Sequence, residues 1–231
     1  MSGMASRTRG PERRREPLSR ERIVAAAVEL LDTVGEGGLT FRALAERLAT
    51  GPGAIYWHVA GRSELLAAAT DAVLTTAAVG DDPDATPHET VRALALGLFD
   101  AIDDHPWVGT QLVGTPSQSP MLPVFEQLGR QVRALGVPRG AWFSAVSALW
   151  NYILGVAGQN AANARMPQPA TTDRTAYLGS VADDWAALDA DRYAFTRAVA
   201  GQLREHDDRA EFLTGIDLIL TGITTHRWPT G

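Results

Sequence analysis

Few side chains in this sequence are arranged for covalent, redox or metal chemistry. All 21 basic residues other than histidine are arginine, so a catalytic lysine and a cofactor imine are excluded. The chain has no cysteine, which excludes disulfides and thiolate metal sites. The glycine-containing segments 35–37 and 51–53 lack the third glycine and the preceding strand of a dinucleotide-binding loop, so we interpret both as turns. The sequence therefore predicts no enzyme active site and no cofactor.

One group of ionisable residues stands out near the middle of the chain. Asp100, Asp103, Asp104 and His105 lie together at the predicted C-terminus of a helix. Carboxylates at this end of a helix oppose its dipole, so a compensating positive charge is expected nearby. The group either binds a cation or forms a solvated acidic helix end. We expect the solvated helix end, and therefore no metal site.

Charge is distributed unevenly along the chain, whose formal net charge is −6. The residues up to Arg62 include 10 arginines and 7 acids, whereas the remainder includes 11 arginines and 20 acids. A basic first segment on an acidic body is typical of a chain that meets a polyanion through that segment. The alternative is a charged tail that only promotes solubility. Residues 1–17, with arginines among Gly, Pro and Ser and no apolar period, are predicted to be a flexible basic arm.

A stretch without any charge extends from Gly140 to Ala164 and is long enough to cross a bilayer. Its serine, asparagine and glutamine side chains are too polar for a single span that faces lipid. We therefore interpret it as a helix buried between protein neighbours, and expect no membrane contact. The sequence also lacks a cationic and then apolar start resembling a signal peptide, which predicts a cytoplasmic protein.

Apolar residues repeat with helical spacing through nearly the whole chain, so the predicted fold class is all-α. In the N-terminal part, Ser19 and Thr40 are predicted to cap two helices, and Gly51 to cap a short third one. A longer fourth helix is predicted from Arg62. Three helices within residues 18–65, the second and third joined by a glycine-containing turn, describe a helix-turn-helix domain.

The remaining residues, 66–231, are predicted to form a helical domain for ligand binding and dimerisation. A capping box at 86–89 begins one amphipathic helix. The helix at 138–164 carries two apolar stripes, so packing partners are expected on two of its sides. Small residues allow this helix to approach another closely. Together with a helix at 208–226, it is predicted to form a four-helix dimer seam across a two-fold axis.

Tryptophans and a few polar side chains in this second domain predict a small-molecule cavity. Apolar walls with a small number of polar groups are what such a cavity requires. The alternative for each of these residues is ordinary core packing. The candidate ligand-binding residues are Trp107, Gln111, Trp142, Phe143, Trp150 and Asn151.

The order of residues in the N-terminal part resembles the DNA-binding signature of the tetracycline-repressor (TetR) family almost position by position. The resembling segments are LTFRALAERL at 39–48, GAIYWHV at 53–59 and RSELL at 62–66. The Tyr-aromatic-His end of the family's recognition helix is present as Tyr56, Trp57 and His58. This resemblance covers residues 18–70. The helical remainder resembles the tetracycline-repressor type of C-terminal domain through its helix order and its closing helix.

The resemblance implies DNA-binding roles for eight residues. Arg42 is implied to contact a guanine edge with two hydrogen bonds, and Arg62 to contact the phosphate backbone. The hydroxyl of Thr40 and the helix N-terminus behind it are implied to bind a phosphate. The phosphate and sugar contacts are completed by the Tyr-aromatic-His segment. The implied set is Thr40, Arg42, Gly53, Ala54, Tyr56, Trp57, His58 and Arg62.

Single residues of this set also have plainer interpretations. Tyr56 and Trp57 fit the core aromatics of a small helical domain, and Arg42 fits a solvated helix residue. The predicted recognition helix also lacks a polar side chain at 52–54, where many relatives of the family have one. Base reading by this helix is therefore expected to be sparse. Specificity is expected from Arg42, from thymine methyl contacts of Ala54 or Tyr56, and from DNA shape.

Taken together, the resemblance implies a ligand-responsive transcriptional regulator that is a homodimer and not an enzyme. Its partners would be double-stranded operator DNA of near-palindromic sequence and a small-molecule effector that releases a repressor from that operator. The alternative is a small-molecule-binding or catalytic helical protein without a DNA-binding role, which DNA affinity distinguishes. A third interpretation, a constitutive DNA-binding protein, differs in lacking a ligand response.

Overall fold

A computed structural model describes residues 17–77, 84–112, 121–164 and 174–228. These residues are largely helical and contain no strand, which confirms the predicted all-α fold class. The predicted arm lies outside the described residues except for its last residue. In chain order the α-helices are α1 (Arg20–Gly38), α2 (Phe41–Arg47), α3 (Pro52–Tyr56), α4 (Arg62–Ala77), α5 (Pro87–Asp104), α6 (Trp107–Leu112), α7 (Met121–Ala134), α8 (Trp142–Ala164), α9 (Arg174–Ala186), α10 (Ala194–Val199) and α11 (Asp208–Thr225).

The chain divides into two compact units, residues 1–65 and 66–231, and the boundary falls within α4. In the first unit, the Ser19 hydroxyl accepts from the backbone N–H of Arg22 at 3.2 Å and thereby caps α1. The helical dihedrals of α1 are interrupted at Gly35, whose φ of 68° lies in the left-handed region that favours glycine. Thr40 caps α2 in the same way as Ser19 caps α1, through the N–H of Ala43 at 3.1 Å.

A small apolar core holds the helices of the first unit together. α2 packs against both α1 and α3. The short α3 cannot be stable alone, because helices of one or two turns depend on tertiary packing. Its Ile55 is fully buried and ties it to that core. The largest buried side chains of this unit are Ile23, Leu31, Leu39, Leu44, Ile55 and Leu65.

In the second unit, α5 packs against α7, α8 and α11, and α6 packs against α5 and α8. The predicted capping box at Thr86 is present with both of its hydrogen bonds, and it starts α5. Phe212 of α11 is buried between two aromatic rings: its centroid lies 4.7 Å from that of Phe99 and 5.7 Å from that of Tyr152. α9 packs mainly against α10 and the 3₁₀ segment Ala200–Glu205.

The uncharged stretch 140–164 is helical, as predicted: the 3₁₀ turn Arg139–Ala141 leads into α8. Its buried side chains in the protomer include the row Ala145, Leu149, Ile153 and Ala157, beside which Val146, Trp150 and Ala161 are also buried. In the part of the chain that the structure describes, we find no helix with both the length and the apolar character required to span a membrane.

Candidate nucleic-acid interface

An exposed aromatic surface lies at the end of α3. Trp57, which follows the last residue of α3, has 90% of its side-chain surface exposed, and Tyr56 has 55%. Tryptophan is highly buried on average, and an indole this exposed is available to contact a partner. The interpretation of these two residues as core aromatics is therefore wrong.

The Tyr56 ring is held in place by α2. It stacks on the ring of Phe41 with 4.3 Å between centroids and 2° between planes. This stack couples the last residue of α3 to the first residue of α2, so the two helices present one continuous surface. His58 lies next to it and is half-buried.

Arg42 lies on the exposed side of α2, with 87% of its side chain exposed. Its Nε donates to Glu46 Oε1, one turn further along the helix, at 3.1 Å. Exposed ion pairs of this kind contribute about 0.3–0.5 kcal/mol. The guanidinium is therefore only weakly held, and a base or a phosphate can replace the carboxylate.

Gly53 and Ala54 form the first turn of α3. Gly53 is exposed, and a methyl group built on it would meet no atom of the described residues within 4 Å. Packing within the unit therefore does not require glycine at this position. A side chain there would instead project toward any partner that approaches α3 closely. Ala54 is half-buried.

Arg62 has an intramolecular role that the sequence did not indicate. Its Nη2 donates to the backbone carbonyl of Glu36 at 2.6 Å, so it joins the start of α4 to the last turn of α1. The carbonyl groups at the end of a helix lack partners within that helix, and an arginine can satisfy them. Removing Arg62 would therefore perturb the unit itself as well as any phosphate contact.

Two further residues that sequence reasoning missed hold the turn between α3 and α4. Arg20 Nη1 donates to the carbonyl of His58 at 3.0 Å and to Glu64 Oε1 at 2.7 Å. Glu64 Oε2 in turn accepts from the backbone N–H of Ala60 at 2.7 Å. The N–H of Ala60 and, after it, Arg20 lower the pKa of Glu64. A signal existed in the position of Glu64 in the first turn of a helix, which is typical of capping acids.

The candidate ligand residues of the second unit do not all come together. Trp107 and Trp150 are buried, and Gln111 is half-buried. Phe143, however, is 74% exposed, and Asn151 is also exposed. Both lie on α8 away from its buried row and are exposed in the protomer, so their role in ligand binding stays a prediction. The apolar stripes of a helix with neighbours on two sides do not show which stripe faces which neighbour.

Two aromatic contacts show where the remaining candidates lie. The Phe125 ring of α7 lies 6.3 Å from the Phe143 ring and 6.5 Å from the Trp150 ring. Trp142 is half-buried and already satisfied, because its Nε1 donates to the carbonyl of Val137 at 2.7 Å. The guanidinium of Arg133 lies over its ring, 5.1 Å from the centroid.

The positive charge expected to compensate the acidic group at the end of α5 comes from α11. Arg209 Nη1 donates to Asp100 Oδ1 at 3.0 Å. Asp103 and Asp104 are exposed. Among the described residues, no group of three or more His, Asp and Glu side chains is placed to hold a metal ion.

Two family models match the chain. The model described as bacterial regulatory proteins, tetR family, matches residues 23–69, and the one described as tetracyclin repressor-like, C-terminal domain, matches residues 79–227. The chain belongs to the TetR family. It is a helix-turn-helix transcriptional regulator. The first match contains all eight residues that the sequence resemblance implied in DNA binding.

Similar proteins include regulators from Streptomyces and Saccharopolyspora. A solved TetR transcriptional regulator from Streptomyces coelicolor is 61% identical with a TM-score of 0.82, covering 90% of this chain and 98% of that one. A curated helix-turn-helix regulator from Saccharopolyspora erythraea is 32% identical over 60% of this chain and 59% of its own length. A curated transcriptional repressor from Streptomyces coeruleorubidus is 30% identical over 64% of this chain and 56% of its own. The chain thus matches less than two thirds of the length of these curated relatives.

Proposed function

We propose that this TetR-family regulator is a dimeric cytoplasmic repressor that binds a near-palindromic operator and leaves it when a small molecule binds its second unit. It acts through binding and catalyses no reaction. The observation that carries the proposal is the 90% exposed Trp57, which lies between Tyr56 and His58 in the family's Tyr-aromatic-His segment.

In the proposed complex, α3 enters the major groove and the residues after it contact one wall of the groove. The indole of Trp57 packs on the sugar-phosphate backbone, and the side chains of Tyr56 and His58 donate to phosphates. The small Gly53 and Ala54 allow α3 to approach the bases. These contacts position the protein, whereas few of them read sequence.

The second helix supplies the base contact. Arg42 leaves Glu46 and donates to the O6 and N7 of a guanine, which is the commonest specific pairing in the major groove. Thr40 lies at the start of α2, where its oxygen already accepts from Ala43 N–H and its O–H remains a donor for a phosphate. Arg62 adds a phosphate contact through the N–H groups that it does not use for Glu36.

The proposed dimer seam is formed by the exposed faces of α8 and α11, which pack against each other within the protomer. These faces carry mainly small and uncharged residues around Leu218, which is 70% exposed, although Glu211, three residues before Thr214, is charged and exposed. A largely uncharged surface with a large exposed apolar side chain is typical of a helical dimer interface. The proposed seam residues are Ser144, Ala148, Asn151, Gly155 and Gln159 of α8, and Thr214, Leu218, Thr221 and Gly222 of α11.

The proposed effector is a largely apolar, aromatic molecule that contacts Trp107 and Trp150. A ligand releases DNA only if it binds the DNA-incompetent state of the dimer more tightly than the competent one. We expect such a molecule to quench tryptophan fluorescence and to weaken operator binding together, with a coupling of about 1–3 kcal/mol. A panel of aromatic compounds that includes tetracycline provides the first probes. Compounds that bind tightly without changing operator affinity would favour the constitutive interpretation.

Enrichment of bound fragments from a random-sequence DNA library tests the proposal. We expect the pure protein to enrich a near-palindrome whose half-sites lie about 34–36 Å apart, or a multiple of that, because each protomer of a helix-turn-helix dimer occupies one half-site. A protein that enriches no sequence and binds no duplex at low salt would refute it. Such a result would favour a small-molecule-binding helical protein.

A further inference from the structure

The turn between α3 and α4 is held from two sides by side chains that belong to other elements. Arg20 of α1 reaches across to the carbonyl of His58 with a 3.0 Å hydrogen bond. The same Nη1 binds Glu64 Oε1 at 2.7 Å, while Glu64 Oε2 accepts from the N–H of Ala60 at 2.7 Å. One arginine and one glutamate thus fix backbone groups on both sides of Val59, whose side chain is buried.

We call the Arg20 and Glu64 side chains the clamp. The clamp acts on the turn that carries Trp57. The indole of Trp57 is almost entirely exposed, so its direction follows from the backbone of the turn that carries it. The carbonyl that Arg20 holds belongs to the next residue. Charge-assisted hydrogen bonds to backbone groups are about twice as strong as neutral ones, so the clamp restrains the turn more than its exposed position suggests.

We propose that Arg20 and Glu64 are positioning residues for DNA binding, which hold Trp57 and His58 in the orientation that meets the DNA backbone and do not touch DNA themselves. The proposal rests on the proposed function, because it takes this segment as a DNA contact. It adds two residues, from α1 and α4, that lie outside the segments contacting DNA.

Because Glu64 is charged, a charge effect and a positioning effect predict opposite changes in DNA affinity. A carboxylate in a DNA-binding unit repels phosphates, so by charge alone Glu64→Gln strengthens DNA binding. Glutamine retains an oxygen that can accept from Ala60 N–H, but its amide no longer attracts Arg20. Positioning therefore predicts the opposite result, an affinity about three- to tenfold weaker, as expected for the loss of a charge-assisted contact.

The matched control is Glu29→Gln. Glu29 of α1 pairs with Arg47 of α2 in the same unit and is also exposed. Its carboxylate binds that side chain and is remote in sequence from the turn after α3. The control variant removes the same charge, and we expect unchanged or tighter binding. The duplex for both variants carries the sequence that the wild-type chain enriches from a random library, and each affinity is measured below the variant's unfolding temperature.

Arg20→Gln distinguishes positioning from direct contact. An arginine that touches a phosphate contributes about 0.9 to the slope of log affinity against log salt. We expect Arg20→Gln to weaken binding without changing this slope, and Arg20→Lys to weaken it less. In a Trp57→Ala background, Arg20→Gln should have a clearly smaller effect, because coupled residues are not additive. A purely structural role would give the same fold-change in both backgrounds and would refute the proposal.

Three further results overturn the proposal. If Glu64→Gln tightens binding as Glu29→Gln does, charge alone accounts for Glu64. If Arg20→Gln lowers the salt slope by about one phosphate, Arg20 contacts DNA directly. In both cases the wild-type chain still binds DNA and the proposed function stands. A wild-type chain that enriches no duplex refutes the proposed function and this proposal together.

Discussion

The two units differ in the surfaces that they expose. In the first unit, the exposed aromatics Tyr56 and Trp57 lie in the same small unit as exposed arginines such as Arg42. In the second unit, Trp107 and Trp150 are buried, although Phe143 and Phe195 are exposed, and the exposed surface of α8 and α11 around Leu218 carries mainly uncharged residues. Aromatic and cationic groups together suit a polyanion, whereas an uncharged helical face suits another helix. The difference supports the proposal that the first unit binds DNA and that the second unit binds a second copy of the chain.

The largest expected effect concerns the proposed dimer seam around Leu218. Leu218→Asp places a charge at the centre of the proposed seam in both protomers at once. We expect the dimer to be weakened by about 2–4 kcal/mol, because hot spots in an interface have this magnitude. Sedimentation across protein concentration measures the change. Leu218 is exposed in the protomer, so the fold should remain intact, unlike after a change at the buried Ile223.

The control for this variant is Phe195→Asp, at another exposed apolar position of the second unit. It should remain dimeric. If Phe195→Asp is monomeric and Leu218→Asp remains dimeric, the seam lies at α10. The faces of α8 and α11 would then not be the dimer interface.

The next effect concerns the exposed indole. Trp57→Ala should weaken binding to every duplex by about 1–3 kcal/mol, a range typical of aromatic contacts to nucleic acid. Because the proposed contact of Trp57 is to the sugar-phosphate backbone of DNA, the loss of affinity should be similar for selected and random DNA. Fluorescence anisotropy with both duplexes measures it. Phe195→Ala removes an exposed aromatic of the second unit and serves as the control. Equal affinities for Trp57→Ala and wild type would exclude Trp57 from the interface.

A smaller and more selective effect is expected for Arg42. Arg42→Ala should reduce the difference in affinity between selected and random DNA by about 1–3 kcal/mol, because a bidentate guanine contact discriminates by that amount. The matched control is Arg130→Ala, since Arg130 also forms an exposed ion pair one turn away, with Glu126 of α7. It should leave both affinities unchanged. A uniform loss for Arg42→Ala on all duplexes would make Arg42 a phosphate contact.

The smallest effect belongs to a residue remote from either surface. Thr86 lowers the pKa of Glu89, first through its side-chain hydroxyl and then through its backbone N–H. A carboxyl with a lowered pKa stabilises the fold above its ordinary pKa, and this contribution is lost as the pH falls through the folded-state pKa. Thr86→Ala should therefore cost about 1 kcal/mol near neutral pH and less in acid. Thermal unfolding of both proteins across pH measures this difference in stability. A difference between wild type and variant that grows in acid would contradict the assignment.

The sequence predicted the helices and their caps well because both depend on residues close together in the chain. The caps at Ser19, Thr40 and Thr86 act within one turn, and their hydrogen bonds are present as predicted. The exposure of Trp57 agrees with a role that the resemblance implied, although that role itself stays a prediction.

Contacts between distant residues could not be predicted in this way. The clamp of Arg20 on the His58 carbonyl joins residues 38 positions apart, and no local pattern specifies it. The sequence does not show whether Phe143 and Asn151 face a cavity or an interface, because apolar and amide residues are common to both. Which face of α8 packs against α5 and α7 depends on the tertiary arrangement, and composition does not carry that information.

The salt dependence of DNA binding tests the central claim most directly. For the duplex that wild-type protein enriches, log affinity should fall linearly with log salt, by about 0.9 for each phosphate neutralised. Trp57→Ala should lower the affinity at every salt concentration without changing the slope, because an uncharged side chain releases no counterion. Absent binding at low salt, or an affinity independent of salt, would contradict the claim that the first unit of this TetR-family protein holds DNA.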